Sequence, residues 1–283
     1  MIHIVTDSTS DLSKELLDKY QIHVLPLHVL LGNEEYRDGV DITPDEIYAW
    51  SDKNKTTPKT SAPSVEDAEK LFESLLENGG EIISFAISAS MSASGQYMRL
   101  AAENLDASDR ISVIDSANLS TGIGLLVIEA AIMASEGKNR EDIVRSIEEY
   151  KPLVRASFVV DTLTYLHRGG RCSSVAALAG GALKLHPKIM VINGAMLAEK
   201  KYRGKYSAIV LNYVKDMEAE LMTAKPDRVF ITHSGINPEI VDCVRAYLES
   251  LNVFAEIHET RAGGVVSSHC GPGTLGVLFI AGK

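Results

Sequence analysis

No apolar stretch in this chain is long enough to span a bilayer. The longest candidates, residues 122–134 and 175–183, fall short of the roughly 18 residues required, and Glu129 interrupts the first. The opening Met1-Ile2-His3-Ile4-Val5 has no basic region and no small-residue cleavage site, so no signal peptide is expected. Cysteine is scarce. Cys172, Cys243 and Cys270 are an odd number without C-x-x-C spacing, which excludes a disulfide framework and a zinc site and points to a reducing cytoplasm. An excess of basic charge is also missing. Lys plus Arg is 28 against 38 Asp plus Glu, a net charge of −10, so the overall field repels nucleic acid and anionic membranes.

Signatures of nucleotide and hydrolytic chemistry are absent as well. There is no G-x-x-x-x-G-K-[ST] and no H-E-x-x-H, so no metal is implied. Gly122-Ile123-Gly124 lacks the third glycine of a dinucleotide fingerprint, because Val127 stands there. No G-x-S-x-G elbow surrounds Ser92. What remains is a chain of 283 residues, 45% hydrophobic and 23% charged, which is an ordinary globular composition with room for about two domains.

Short β-branched runs alternate with helical patterns. Strands are expected at residues 2–5, 82–87 and 111–114, each followed by a polar loop and a helix, which is the rhythm of a parallel sheet covered by helices. Thr43-Pro44-Asp45-Glu46 is a capping-box helix start; Ser64 with Asp67 and Asn237-Pro238 mark two more. A helix over 140–150 should end before Pro152, which suggests a boundary there: an N-terminal domain of 1–152 and a C-terminal domain of 153–283. Past that point strands are expected at 157–160, 188–192, 229–232, 255–257 and 275–281, with helices near 205–225 and 238–250. The fold class is therefore α/β, with a mainly parallel sheet first and a mixed sheet second.

Ligands in open α/β sheets gather beyond the carboxyl ends of strands. That rule selects residues 6–11, 88–96, 115–120 and 233–235. Within 87–96, small hydroxyl residues follow a buried strand and open a helix, a pattern that suits an anion held by hydroxyls and free amides. No lysine or arginine lies inside it, which favours a carboxylate over a phosphate; a plain serine-capped loop is the simpler alternative. Asp7 and Asp115 suit caps or loop braces. A second hydroxyl cluster, Thr56 to Ser64, is held extended by Pro58 and Pro63. The third candidate, 261–273, is glycine-rich and carries His269 near a turn.

These motifs, in this order, resemble the DegV family of bacterial fatty acid-binding proteins, which includes the binding subunits of fatty acid kinase. The resemblance runs from Thr6-Asp7-Ser8-Thr9-Ser10-Asp11-Leu12, through Thr60-Ser61-Ala62-Pro63-Ser64, residues 87–96, Asp115-Ser116 and Gly169-Gly170-Arg171, to Gly271-Pro272-Gly273. It implies two α/β domains with a long-chain fatty acid buried between or within them, and no cofactor beyond that lipid. It implies that Thr60, Ser92 and His269 surround the carboxylate, and that Arg171 and the basic segment containing Arg203 lie near the entrance and dock a separate kinase that makes an acyl phosphate. Charge reversal at Arg171 is then expected to impair phosphorylation and leave lipid binding intact. The apolar run 175–183 would suit a tunnel wall. Where the family has Gly-Thr-Tyr after the key serine, this chain has Ala93-Ser94-Gly95, which would widen the pocket or loosen the loop. Neither nucleic acid nor stable membrane insertion is expected. Two other readings stay open: a lipid esterase with Ser92 as nucleophile and His269 as base, and a lipid sensor without kinase coupling.

Overall fold

The computed structural model describes residues 1–77, 79–171 and 185–282. Cys172 and the run 175–183 lie outside the described residues.

The expected parallel sheet is present. It orders β2 (Ile22–Leu25), β1 (Ile2–Asp7), β6 (Glu81–Ala86) and β7 (Ile111–Asp115), with every pairing parallel. Both faces are covered, so its strands read as nearly continuous apolar runs. A small antiparallel sheet, which the sequence reading did not anticipate, orders β4 (Glu34–Arg37), β3 (His28–Leu31) and β5 (Lys59–Ser61). The strands are three or four residues long and largely polar on one side, too short for a clear period-two signal.

The third sheet is mixed. Its order is β10 (Ala195–Tyr202), β9 (His186–Ile192), β8 (Val154–Val159), β13 (Leu275–Ala281), β11 (Ala224–His233) and β12 (Glu256–Arg261). Only β11 and β12 pair in parallel.

Helix starts follow local chemistry. Thr43 and Glu46 form a reciprocal capping box on α2 (Pro44–Asn54), and Ser64 and Asn237 cap α3 (Val65–Leu76) and α10 (Pro238–Ser250). The remaining α-helices among the described residues are α1 (Lys14–Lys19), α4 (Ser94–Asn104), α5 (Thr121–Ser135), α6 (Arg140–Tyr150), α7 (Thr164–Gly169), α8 (Tyr206–Lys215), α9 (Glu218–Leu221) and α11 (Gly264–Cys270). The single helix expected over 205–225 is instead α8, α9 and the start of β11. Asp216 terminates α8, and its carboxylate is held by Lys200 and the Tyr202 hydroxyl of β10.

Helix α5 sits at the centre. Twelve of its 15 residues are buried, because one face packs on β1 and β6 and the other on β8 and β13. A helix apolar all round is what a core between two sheets requires. Its one charge, Glu129, is buried and paired with Arg228 (2.5 Å) and Lys225 (3.1 Å) of β11. The main apolar cluster around α5 draws on both halves of the chain, from Ile4 and Phe85 to Phe158 and Leu278.

Candidate functional site

Three chain segments far apart in sequence meet at one cavity of about 280 Å³. Strand β5 contributes Thr60, the loop after β6 contributes Ser92, and α11 contributes His269. Arg171 lines the same cavity. The walls are apolar: Leu27, Ile87, Met91, Leu119, Met196, Val265 and Val266. A larger cavity, about 450 Å³, is lined in part by β8 and β9 and touches none of these polar groups. Its lysines and arginine, Lys151, Lys188 and Arg155, are each tied to a carboxylate.

The Ser92 loop is held by a buried carboxylate. Asp7, at the end of β1, accepts from Ile87 N–H (2.9 Å), Ser94 Oγ (2.8 Å) and Thr9 Oγ1 (2.5 Å). Burial raises its carboxyl, and these bonds oppose the rise. Helix α4 then starts without a side-chain cap. Ser92 Oγ accepts from Ser94 N–H at 3.2 Å, which leaves the Ser92 hydroxyl proton directed elsewhere. A Cβ on Gly95 would meet Ala86 Cβ at 3.2 Å, so this departure from the family motif faces the sheet; Tyr97, two residues on, lines the cavity. Of Ala93-Ser94-Gly95, Ala93 lines the cavity and Gly95 faces the sheet.

Residues 261–273, singled out as glycine-rich, contain α11, with His269 in its last turn, just before the Gly271-Pro272-Gly273 segment. The helix starts against two more buried aspartates. Asp11 accepts from Gly263 N–H (2.8 Å) and Asp38 from Gly264 N–H (2.6 Å). Gly264 is required there, because a Cβ would meet Ile47 Cδ1 at 2.8 Å and Asp38 Oδ1 at 2.9 Å. Ser120 donates to Asp11 (2.5 Å) and Ser8 to Asp38 (2.8 Å). Burial pushes Asp11 up to about 8 and also raises Asp38. This socket sets where His269 points. Its Nε2 is 2.8 Å from Thr60 Oγ1. Burial first, and the nearby Arg171 second, lower the imidazole to about 4, so it is neutral near pH 7.

Arg171 donates to the Gly169 carbonyl at 2.8 Å and remains exposed at the cavity mouth. Arg203 is exposed beyond the end of β10 and does not line the cavity. Ser92 and His269 share the cavity, but His269 bonds Thr60 and Ser92 bonds Ser94, so no nucleophile–base pair is formed. The sequence reading missed Tyr97, Met196 and the Asp11–Asp38 socket. Tyr97 lies in the first turn of α4, and five residues from Ser92 is not a same-face helical spacing, so periodicity did not point to it. The aspartates act across more than 220 residues and leave no local signal.

A family model described as "Uncharacterised protein, DegV family COG1307" matches residues 1–282. A DegV domain-containing protein of Caldanaerobacter subterraneus is 34% identical over 280 residues, covering 98% of each chain. Among solved structures, a fatty acid-binding DegV family protein from Thermus thermophilus is 31% identical, with a TM-score of 0.91 over 99% of each chain. A stearic acid-binding protein from Eubacterium ventriosum is also 31% identical, with a TM-score of 0.87 over 99% of this chain and 98% of its own.

Proposed function

The chain belongs to the DegV family, and from that premise we propose that it binds one long-chain fatty acid in the 280 Å³ cavity and presents the carboxylate to a separate kinase for acyl-phosphate formation. The observation that supports this reading is that Thr60, Ser92 and His269 line one apolar cavity, with Thr60 and His269 in contact and exposed Arg171 in the same lining. Those groups come from both of the lobes we read at 1–152 and 153–283.

The magnitudes assign the work. A sixteen-carbon acid has about 14 methylenes, each worth about 0.8 kcal/mol on burial, or about 11 kcal/mol before ordering costs. A hydrogen bond to a charged group adds about 1.5–3 kcal/mol. The apolar walls thus supply most of the affinity, while Thr60 and Ser92 fix the head group and offset its desolvation. Neutral His269 contributes through Thr60 rather than as a counter-charge.

Arg171 and Arg203 form the docking face for the kinase. Because Arg171 also borders the ligand, reversing its charge weakens lipid binding together with phosphorylation, whereas Arg203→Glu impairs only the kinase step. The test is mass spectrometry of the purified protein before and after denaturation. One equivalent of released long-chain fatty acid is expected; a protein that carries none and takes none up from solution refutes the reading.

A further inference from the structure

The hydrogen bond between Thr60 and His269 can run in either direction, and the surroundings of the other ring nitrogen decide which. His269 Nδ1 has no solvent contact and no hydrogen-bond partner among the described residues. It faces the bare Cα of Gly169, at the end of α7; a Cβ there would overlap Nδ1. A C–H fits against a nitrogen lone pair but gives an N–H nothing to donate to. The Gly169 carbonyl is turned away and taken by Arg171.

We propose that Gly169 holds His269 as the Nε2–H tautomer, so that the chain runs outward, from Nε2–H to Thr60 Oγ1 and from the Thr60 hydroxyl to the ligand, and the site takes its fatty acid as the carboxylate anion. Ser92 is polarised the same way, since its oxygen already accepts from Ser94 N–H. The pocket then presents two hydroxyl protons, each from an oxygen that already accepts one N–H. An ionised carboxylate satisfies both. A protonated carboxylic acid adds a third proton, which would have to share a hydroxyl oxygen with the N–H already donating to it. Gly169 acts as a positioning residue, through His269 and Thr60, and the carboxylate keeps the lone pairs that attack on a phosphoryl group requires. This inference rests on the fatty acid reading for its ligand, but not for its tautomer.

The experiment uses the full chain, labelled with ¹⁵N-histidine and examined by NMR with and without [1-¹³C]palmitate, with a His269→Gln spectrum to assign the signal. The expected result is a neutral His269 carrying its proton on Nε2 from pH 6 to 8, and a bound palmitate carboxyl that stays ionised over that range. A proton on Nδ1, a charged imidazole at pH 7, or a bound acid that titrates between pH 6 and 8 overturns the proposal. If palmitate does not bind, the fatty acid reading fails while the tautomer is still decided. Gly169→Ala should keep the melting temperature, displace His269 from Thr60 and weaken palmitate binding about ten-fold or more. Unchanged affinity in a folded Gly169→Ala protein counts against the proposal, and if that variant does not fold, the wild-type tautomer alone decides.

Discussion

Replacing Asp11 with asparagine should remove a pH dependence of stability that runs opposite to ordinary acid denaturation. Asp11 is buried beside Asp7 and Asp38, with no cation bonded to it among the described residues, and its carboxyl is pushed up to about 8. A carboxyl raised in the fold binds its proton more tightly there than in the unfolded chain, so stability is greatest in acid and falls as pH rises through the folded value. For a shift from 3.8 to about 8, this one group makes the fold about 1 kcal/mol less stable at pH 8 than at pH 7, with a smaller further loss by pH 9. The window matters. His3, His23, His233 and His269 are all lowered, and their contribution rises with pH only up to their unfolded value near 6.5. Above pH 7 the histidines no longer oppose the aspartate. In Asp11→Asn, the amide oxygen can accept from Gly263 N–H while Ser120 rotates to accept from the amide nitrogen, so the socket keeps its bonds without the charge. Urea unfolding at pH 7, 8 and 9 measures the difference. The wild type should lose stability across that range and the variant should lose about 1 kcal/mol less between pH 7 and 8. Identical slopes, or a wild type that gains stability from pH 7 to 8, refute the reasoning.

Ser92→Ala should weaken fatty acid binding about ten- to hundred-fold, since one hydrogen bond to a charged group is lost, with little change in melting temperature; calorimetric titration checks the first and thermal unfolding the second. Glu129→Ala strands Arg228 inside the core and should cost about 3–5 kcal/mol in denaturant unfolding, whereas a loss under 1 kcal/mol would show that water reaches the pair. Arg203→Glu should leave palmitate affinity unchanged and slow phosphoryl transfer in a reconstituted kinase assay; equal slowing of both steps removes it from the docking face.

The long regular elements were legible in the sequence for local reasons. Helix α6 occupies Arg140–Tyr150 and β13 Leu275–Ala281, as their periodicity and flanking residues indicate. Elements held by distant partners were not. Gly264-Val265-Val266-Ser267-Ser268-His269-Cys270 has weak intrinsic helix preference, and it is helical because Asp11 and Asp38 receive its first amides. The hairpin turn at Gly194 is likewise fixed from outside, its carbonyl accepting from Ser88 (2.7 Å) and from Ser90. Thr60 and Ser92 could be selected as hydroxyls beside helix starts. That Thr60 answers to His269, and that Asp7 shapes the Ser92 loop, is tertiary information.

The Thr60–His269 joint spans 209 positions of the chain. During synthesis the ribosome makes β5 long before it makes α11, so a nascent polypeptide holds Thr60 and Ser92 before Val265, Val266 and His269 exist to complete the cavity. On the fatty acid reading, capture of lipid in its final pose waits until translation has passed residue 270, and a product terminated before that point should bind none, however well its first sheet has formed.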